Sequence, residues 1–92
     1  MNDRVKGMLG LAKKAGKLVN GEEMVLDSIR SGKAYIVIVS TDASDNTRKL
    51  FHDKCSYYRV PIYDYGTRID LGHVSLAVCD RNFAESIEKL FN

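Results

Sequence analysis

The sequence predicts an α/β protein, a three-layer α/β/α sandwich of about four strands and five helices. Three observations predict it. Segments with apolar residues at helical spacing alternate along the chain with short β-branched segments. One of the latter, Ala34-Tyr35-Ile36-Val37-Ile38-Val39, is nearly all apolar, as expected of a strand covered on both faces. Glycines and capping residues stand at the joins.

Val5, Met8, Leu9 and Ala12 set a first helix over residues 3–14, capped by Asn2 or Asp3 and ended by Gly16. Lys17-Leu18-Val19 reads as a short strand. Asn20 is placed to cap a second helix over 21–31, with Val25, Ser28 and Ile29 inward and Gly32 as its stop. After the strand at 34–39, residues 41–45 form a turn and cap cluster. A third helix over 45–57 then turns Leu50, Phe51, Cys55 and Tyr58 inward. Residues 60–63 make a third strand, where Pro61 suits a strand start or an edge. Thr67 opens a short fourth helix reaching Leu71-Gly72, and residues 74–79 form the fourth strand. Asp80 or Asn82 caps the last helix, with Phe83, Ile87 and Leu90 on its inner face. The join from Gly72 to Val74 is short for a helix-to-strand connection of about 2–6 residues. Either the fourth helix is a single turn or a loop is absent.

The 92 residues suit one domain, 1–92, with a single modest core at 45% hydrophobic composition. No apolar run approaches the roughly 18 residues of a membrane span, and the start is not a signal peptide. A cytoplasmic protein with no membrane contact is expected. Cys55 and Cys79 fall on apolar patterns without ligand spacing, so both are expected as buried free thiols. No metal and no cofactor are expected.

The net charge of +2 is unevenly spread. Arg4, Lys6, Lys13, Lys14 and Lys17 crowd the first segment, and Arg48, Lys49, Lys54 and Arg59 crowd a second. Two basic blocks fit a phosphate footprint or an ordinary solvated helix surface. The stretch Lys13-Lys14-Ala15-Gly16-Lys17-Leu18-Val19-Asn20-Gly21-Glu22-Glu23 carries the most information. A helix that begins on a glycine offers backbone N–H groups at its positive end, and lysines just upstream add charge. Glu22 and Glu23 offset the helix dipole and, being adjacent, do not pair as a general acid and base. No nucleotide-binding glycine motif is present. His52 and His73 show no nucleophile or carboxylate arranged for triad chemistry, so an enzyme is not expected.

The segments Leu9-Gly10-Leu11-Ala12-Lys13-Lys14-Ala15-Gly16-Lys17-Leu18-Val19-Asn20-Gly21-Glu22-Glu23, Asp42-Ala43-Ser44-Asp45-Asn46-Thr47-Arg48-Lys49, Asp53-Lys54-Cys55-Ser56-Tyr57-Tyr58 and Leu71-Gly72 resemble the bacterial YlxQ-type proteins. These belong to the ribosomal-protein superfamily typified by the archaeal large-subunit protein "L-seven-Ae" and its "L-thirty-e" relatives. The resemblance implies a small α/β/α RNA-binding domain whose better-known relatives bind kink-turns. It implies structured RNA as partner, such as ribosomal RNA or another stem with an internal loop, in a ribosomal or translational setting. Gly21 and Gly32 keep the family spacing, but Glu23, Met24 and Asp27 stand where the kink-turn readers are Asn, Glu and Lys. A standard kink-turn target is therefore not expected. The candidate RNA-binding residues are Lys13, Lys14, Lys17, Asn20, Gly21, Glu22, Glu23, Arg48, Lys49, Arg68, Leu71 and Gly72, with Tyr65 a weaker candidate for stacking on a base. Tyr57, Tyr58 and Tyr63 are expected in the core or half-buried. The rival reading is a protein-interaction adaptor that kept the fold and lost the RNA readers.

Overall fold

A computed structural model describes residues 3–91. Its elements run α1 (Asp3–Lys14), β1 (Leu18–Asn20), α2 (Glu22–Arg30), β2 (Ile36–Val39), α3 (Asp45–Tyr58), β3 (Ile62–Asp64), α4 (Arg68–Leu71), β4 (Ser75–Val78) and α5 (Arg81–Phe91). The cap expected at Asn2 lies outside the described residues, and Asp3 is already helical. Gly16, at φ 73°, ends α1 as expected. There the Gly16 N–H donates to the Lys13 carbonyl, and the Lys17 N–H to that of Ala12.

Four local expectations are corrected. β1 is shifted by one residue, because Lys17 precedes the ladder and Asn20 pairs with Leu76 inside it. Asn20 consequently does not cap α2; Gly21 does, with no side-chain hydrogen bond. Tyr58 is exposed at the end of α3 and Leu50 only half-buried, so Phe51 and Cys55 carry the inner face. Tyr57 is 79% exposed rather than core. Two open choices are resolved. Asp80, not Asn82, caps α5 through the Phe83 N–H at 3.0 Å. The fourth helix is a single turn of four residues, so residues 72–74 suffice to reach β4.

The sheet order is β1-β4-β2-β3. β4 is antiparallel to both β1 and β2, while β3 is parallel to β2. Thus β1, β2 and β3 all point one way. The central strands β2 and β4 are buried throughout, which is why β2 is all apolar and β4 is apolar but for Ser75. Their residues alternate between two cores. Ile36, Ile38, Leu76 and Val78 pack with Val5 and Leu9 of α1 and Ala84 and Ile87 of α5. Val37, Val39 and Ala77 pack on the other face with Val25 and Ile29 of α2 and Phe51 and Cys55 of α3. The three layers are as expected. Pro61 stands just before β3, an edge strand, where the sheet tolerates it.

Candidate nucleic-acid interface

Because β1, β2 and β3 run in one direction, their C-terminal ends share one end of the sheet. The N-termini of α2, α3 and α4 follow directly, so the chain makes three turns along one rim. Backbone hydrogen bonds lock these turns together. The Gly21 N–H donates to the Ser75 carbonyl, that of Ser40 to Val74, and that of Thr41 to Gly66. The Thr41 hydroxyl also donates to the Gly66 carbonyl, and the Arg68 N–H donates to Asp42 at 3.0 Å.

Gly21 sits at φ 89°, ψ 150°, a region essentially reserved for glycine. A Cβ there would meet nothing within 4 Å, so the requirement is conformational rather than steric. The first amides of α2 have no side-chain cap. Glu22 and Glu23 flank them, and Met24 is 56% exposed beside them. Across the rim Thr67 and Asp70 form a capping box that holds α4, with Gly72 at φ 80° closing it. The Thr67 N–H, and after it the Thr67 hydroxyl, hold the Asp70 carboxyl below the usual carboxylate range. Ile69 is 89% exposed on this turn.

The rim gathers most of the residues singled out in the sequence. Asn20, Gly21, Glu22 and Glu23 stand at the β1–α2 turn, Arg48 and Lys49 early in α3, and Arg68, Leu71 and Gly72 on α4. Arg48 is partly engaged, with its guanidinium 3.5 Å from Asp64. Lys13 lines a groove of about 240 Å³ that reaches the rim, together with Lys6, Gly10, Asn20, Leu71 and His73. Lys14 and Lys17 are not brought to the rim. The Lys17 carbonyl accepts from the Cys79 N–H, past the far end of β4 from Ser75. Four strand residues at about 3.3 Å each place Lys17 roughly 13 Å from Gly21. The signal was present in the sequence: a strand between two residues separates them.

Two further features were missed. His52 does face a carboxylate, with Nε2 3.0 Å from Asp64. Among the described residues no hydroxyl or thiol hydrogen-bonds the ring, so the pair ties α3 to the β3 edge rather than forming a triad. Lys6 and His73, on α1 and the α4–β4 join, share the groove with Lys13. Tyr63 is half-buried as expected and donates its hydroxyl to Glu88 at 2.8 Å. Cys55 is buried, which pushes its thiol up to about 11, while Cys79 is only half-buried.

Together these features define an α/β/α sandwich of the ribosomal-protein type, with a glycine-started helix on a rim of loops. Residues 3–87 match the ribosomal protein L7Ae/L30e/S12e/Gadd45 family, and the chain belongs to it. The chain is 40% identical to the RNA-binding protein YlxQ of Bacillus subtilis over 92% of each chain. It is 37% identical to the RNA-binding protein YlxQ of Enterococcus faecium, over 95% of this chain and 90% of that one. A Bacillus halodurans protein of unknown function superposes at a TM-score of 0.93, with 33% identity and 97% of both chains covered. The Giardia lamblia 15.5kD RNA binding protein shares the fold at a TM-score of 0.78 and 18% identity, over 98% of this chain and 89% of that one.

Proposed function

We propose that this chain is a non-catalytic RNA-binding module that docks structured RNA on the rim formed by the β1–α2, β2–α3 and β3–β4 connections. The uncapped N-terminus of α2 supports this most directly, with Gly21 hydrogen-bonded to Ser75 and Asn20 sharing a groove with Leu71 of α4. Backbone amides at a helix N-terminus attract phosphate oxygens, and the glycine removes the side chain that would block their approach. Arg68 and Lys49 supply positive charge, while Met24 and Ile69 offer apolar contact to bases. Glu23 suits amino groups of guanine or cytosine better than phosphates. Selectivity then comes from RNA shape more than from the amide and lysine contacts of kink-turn readers. The curated relatives named RNA-binding protein support the reading, and a ribosomal or translational RNA is the proposed partner.

Crosslinking in cells followed by sequencing tests it. Enrichment of one structured ribosomal or messenger RNA is expected, and Arg68→Ala should reduce it. Partner capture that is indifferent to nuclease, with no RNA enriched, would favour the adaptor instead.

A further inference from the structure

The end of the sheet opposite the rim carries its own charge pattern. Each strand ends or begins there beside a basic side chain. Lys17 precedes β1, and Arg81 follows β4. Lys33 precedes β2, near enough to Cys79 for its charge to oppose the burial that raises that thiol. Arg59 precedes β3, on the αL cap of α3. Lys14 ends α1 on the same side. All five are exposed, and none forms an ion pair among the described residues. Of the acids nearby, Asp27 is paired with Arg30 at 2.9 Å and Asp80 caps α5. Since the whole chain is only +2, this end is positive and the remainder net negative.

Aromatic rings lie among these cations. Tyr35 is 42% exposed, with the Arg81 guanidinium 5.8 Å over its ring, and its N–H is fixed to the Val78 carbonyl. Tyr57 and Tyr58 stand exposed beside Arg59. Four strands spaced about 4.8 Å apart make this row roughly 14 Å wide.

We infer that this face is a second RNA-binding surface, which grips the sugar–phosphate backbone without reading sequence while the opposite rim reads shape. Unpaired cations supply affinity through counterion release, and tyrosines among them offer stacking planes that any base accepts. The large apolar side chains exposed among these cations, Tyr35, Tyr57 and Tyr58, are rings that can stack on bases. The exposed aliphatic Met24 and Ile69 lie instead on the rim, which favours a polynucleotide over a lipid surface here. The inference rests on the RNA-binding reading and extends it, because it assigns Lys14 and Lys17 to a face remote from Gly21.

Anisotropy titrations across a KCl series test it, with labelled oligo(U) and a labelled bulged hairpin carrying tandem G·A pairs. Lys17→Ala, Lys33→Ala and Arg81→Ala are combined, and a melting curve confirms the fold. The slope of log affinity against log salt should flatten by about 2 on oligo(U), at about 0.7 per phosphate contact, and by about 3 on the hairpin. Lys17→Arg combined with Lys33→Arg should keep the wild-type slope. Arg68→Ala should lower the preference for the hairpin and leave the oligo(U) slope unchanged. An unchanged slope in the triple variant, or a loss confined to the hairpin, overturns the second face but not the rim. Binding of neither RNA by the wild type overturns both, whereas a triple variant whose only loss is on anionic vesicles overturns the second RNA face alone.

Discussion

Alanine at Gly21 and alanine at Gly10 should change stability in opposite directions. The chemical change is the same, and neither added Cβ meets an atom within 4 Å. Only the backbone differs. Gly21 holds φ 89°, ψ 150°, where an L side chain costs about 1–3 kcal/mol. Alanine also restricts the unfolded chain, which returns about 0.4–1 kcal/mol. At mid-range values the net loss is about 1.3 kcal/mol. Gly10 lies inside α1, where glycine is about 0.8–1 kcal/mol worse than alanine, so Gly10→Ala stabilises by that amount. At about 4–8 °C per kcal/mol for a domain of this size, the two melting temperatures should straddle the wild type. Urea unfolding with unchanged m values measures the difference. A neutral or stabilising Gly21→Ala refutes the argument, since it means the turn into α2 relaxes without the left-handed glycine. The Gly21 variant should also weaken RNA binding at the rim.

Four other outcomes follow from local structure. Thr67→Ala removes the capping box and should cost about 0.5–2 kcal/mol, seen as faster exchange of the Leu71 and Gly72 amides. The depressed Asp70 pKa means its stabilisation is present above about pH 3.9 and lost as pH falls further, so exchange of those amides should rise on acidification. Cys55, raised by burial to about 11, should remain a thiol when followed by ultraviolet absorbance up to that range. Its stabilisation is full below about pH 8.5 and is lost as pH rises toward 11; a thiolate signal near pH 8.5 in the folded protein would contradict the burial. Arg59→Gly relieves the αL strain at the end of α3 and should stabilise by about 0.5–1 kcal/mol. The same change should flatten the oligo(U) salt slope by about 0.7.

Most elements were legible because their causes are local. Helical spacing placed Val25, Ser28 and Ile29 on one face, and all three are buried. Gly16 and Gly32 adopt positive φ at the helix ends where a glycine stop was expected. Of the apolar run at 34–39, Ile36–Val39 forms a central strand, buried on both faces as so apolar a run requires. Errors came where two signals compete over one or two residues. Asn20 is a favourable cap by type, yet pairing with Leu76 across the sheet outweighed capping. Tyr58 fits the helical stripe, but α3 ends on it, beyond the cover of the sheet.

The candidate site was legible as a set of turns and not as a place. Gly21 was marked by its local chemistry and Arg68 and Gly72 by the family resemblance, and all three stand on the rim. That they share one rim depends on β1, β2 and β3 running the same way, which no local pattern encodes. The tie of His52 to Asp64 likewise needs α3 laid along the β3 edge.

By itself the sequence determined which residues form helices and strands, which faces are apolar, and which superfamily the chain resembles, because spacing and capping act over a few residues. Only the tertiary structure decided that Lys17, Lys33, Arg59 and Arg81 meet at one end while Gly21, Asp42 and Arg68 meet at the other. The reason is strand direction: β1, β2 and β3 run one way, so their starts share one end of the sheet, and β4 alone runs back, so its C-terminal end joins them there.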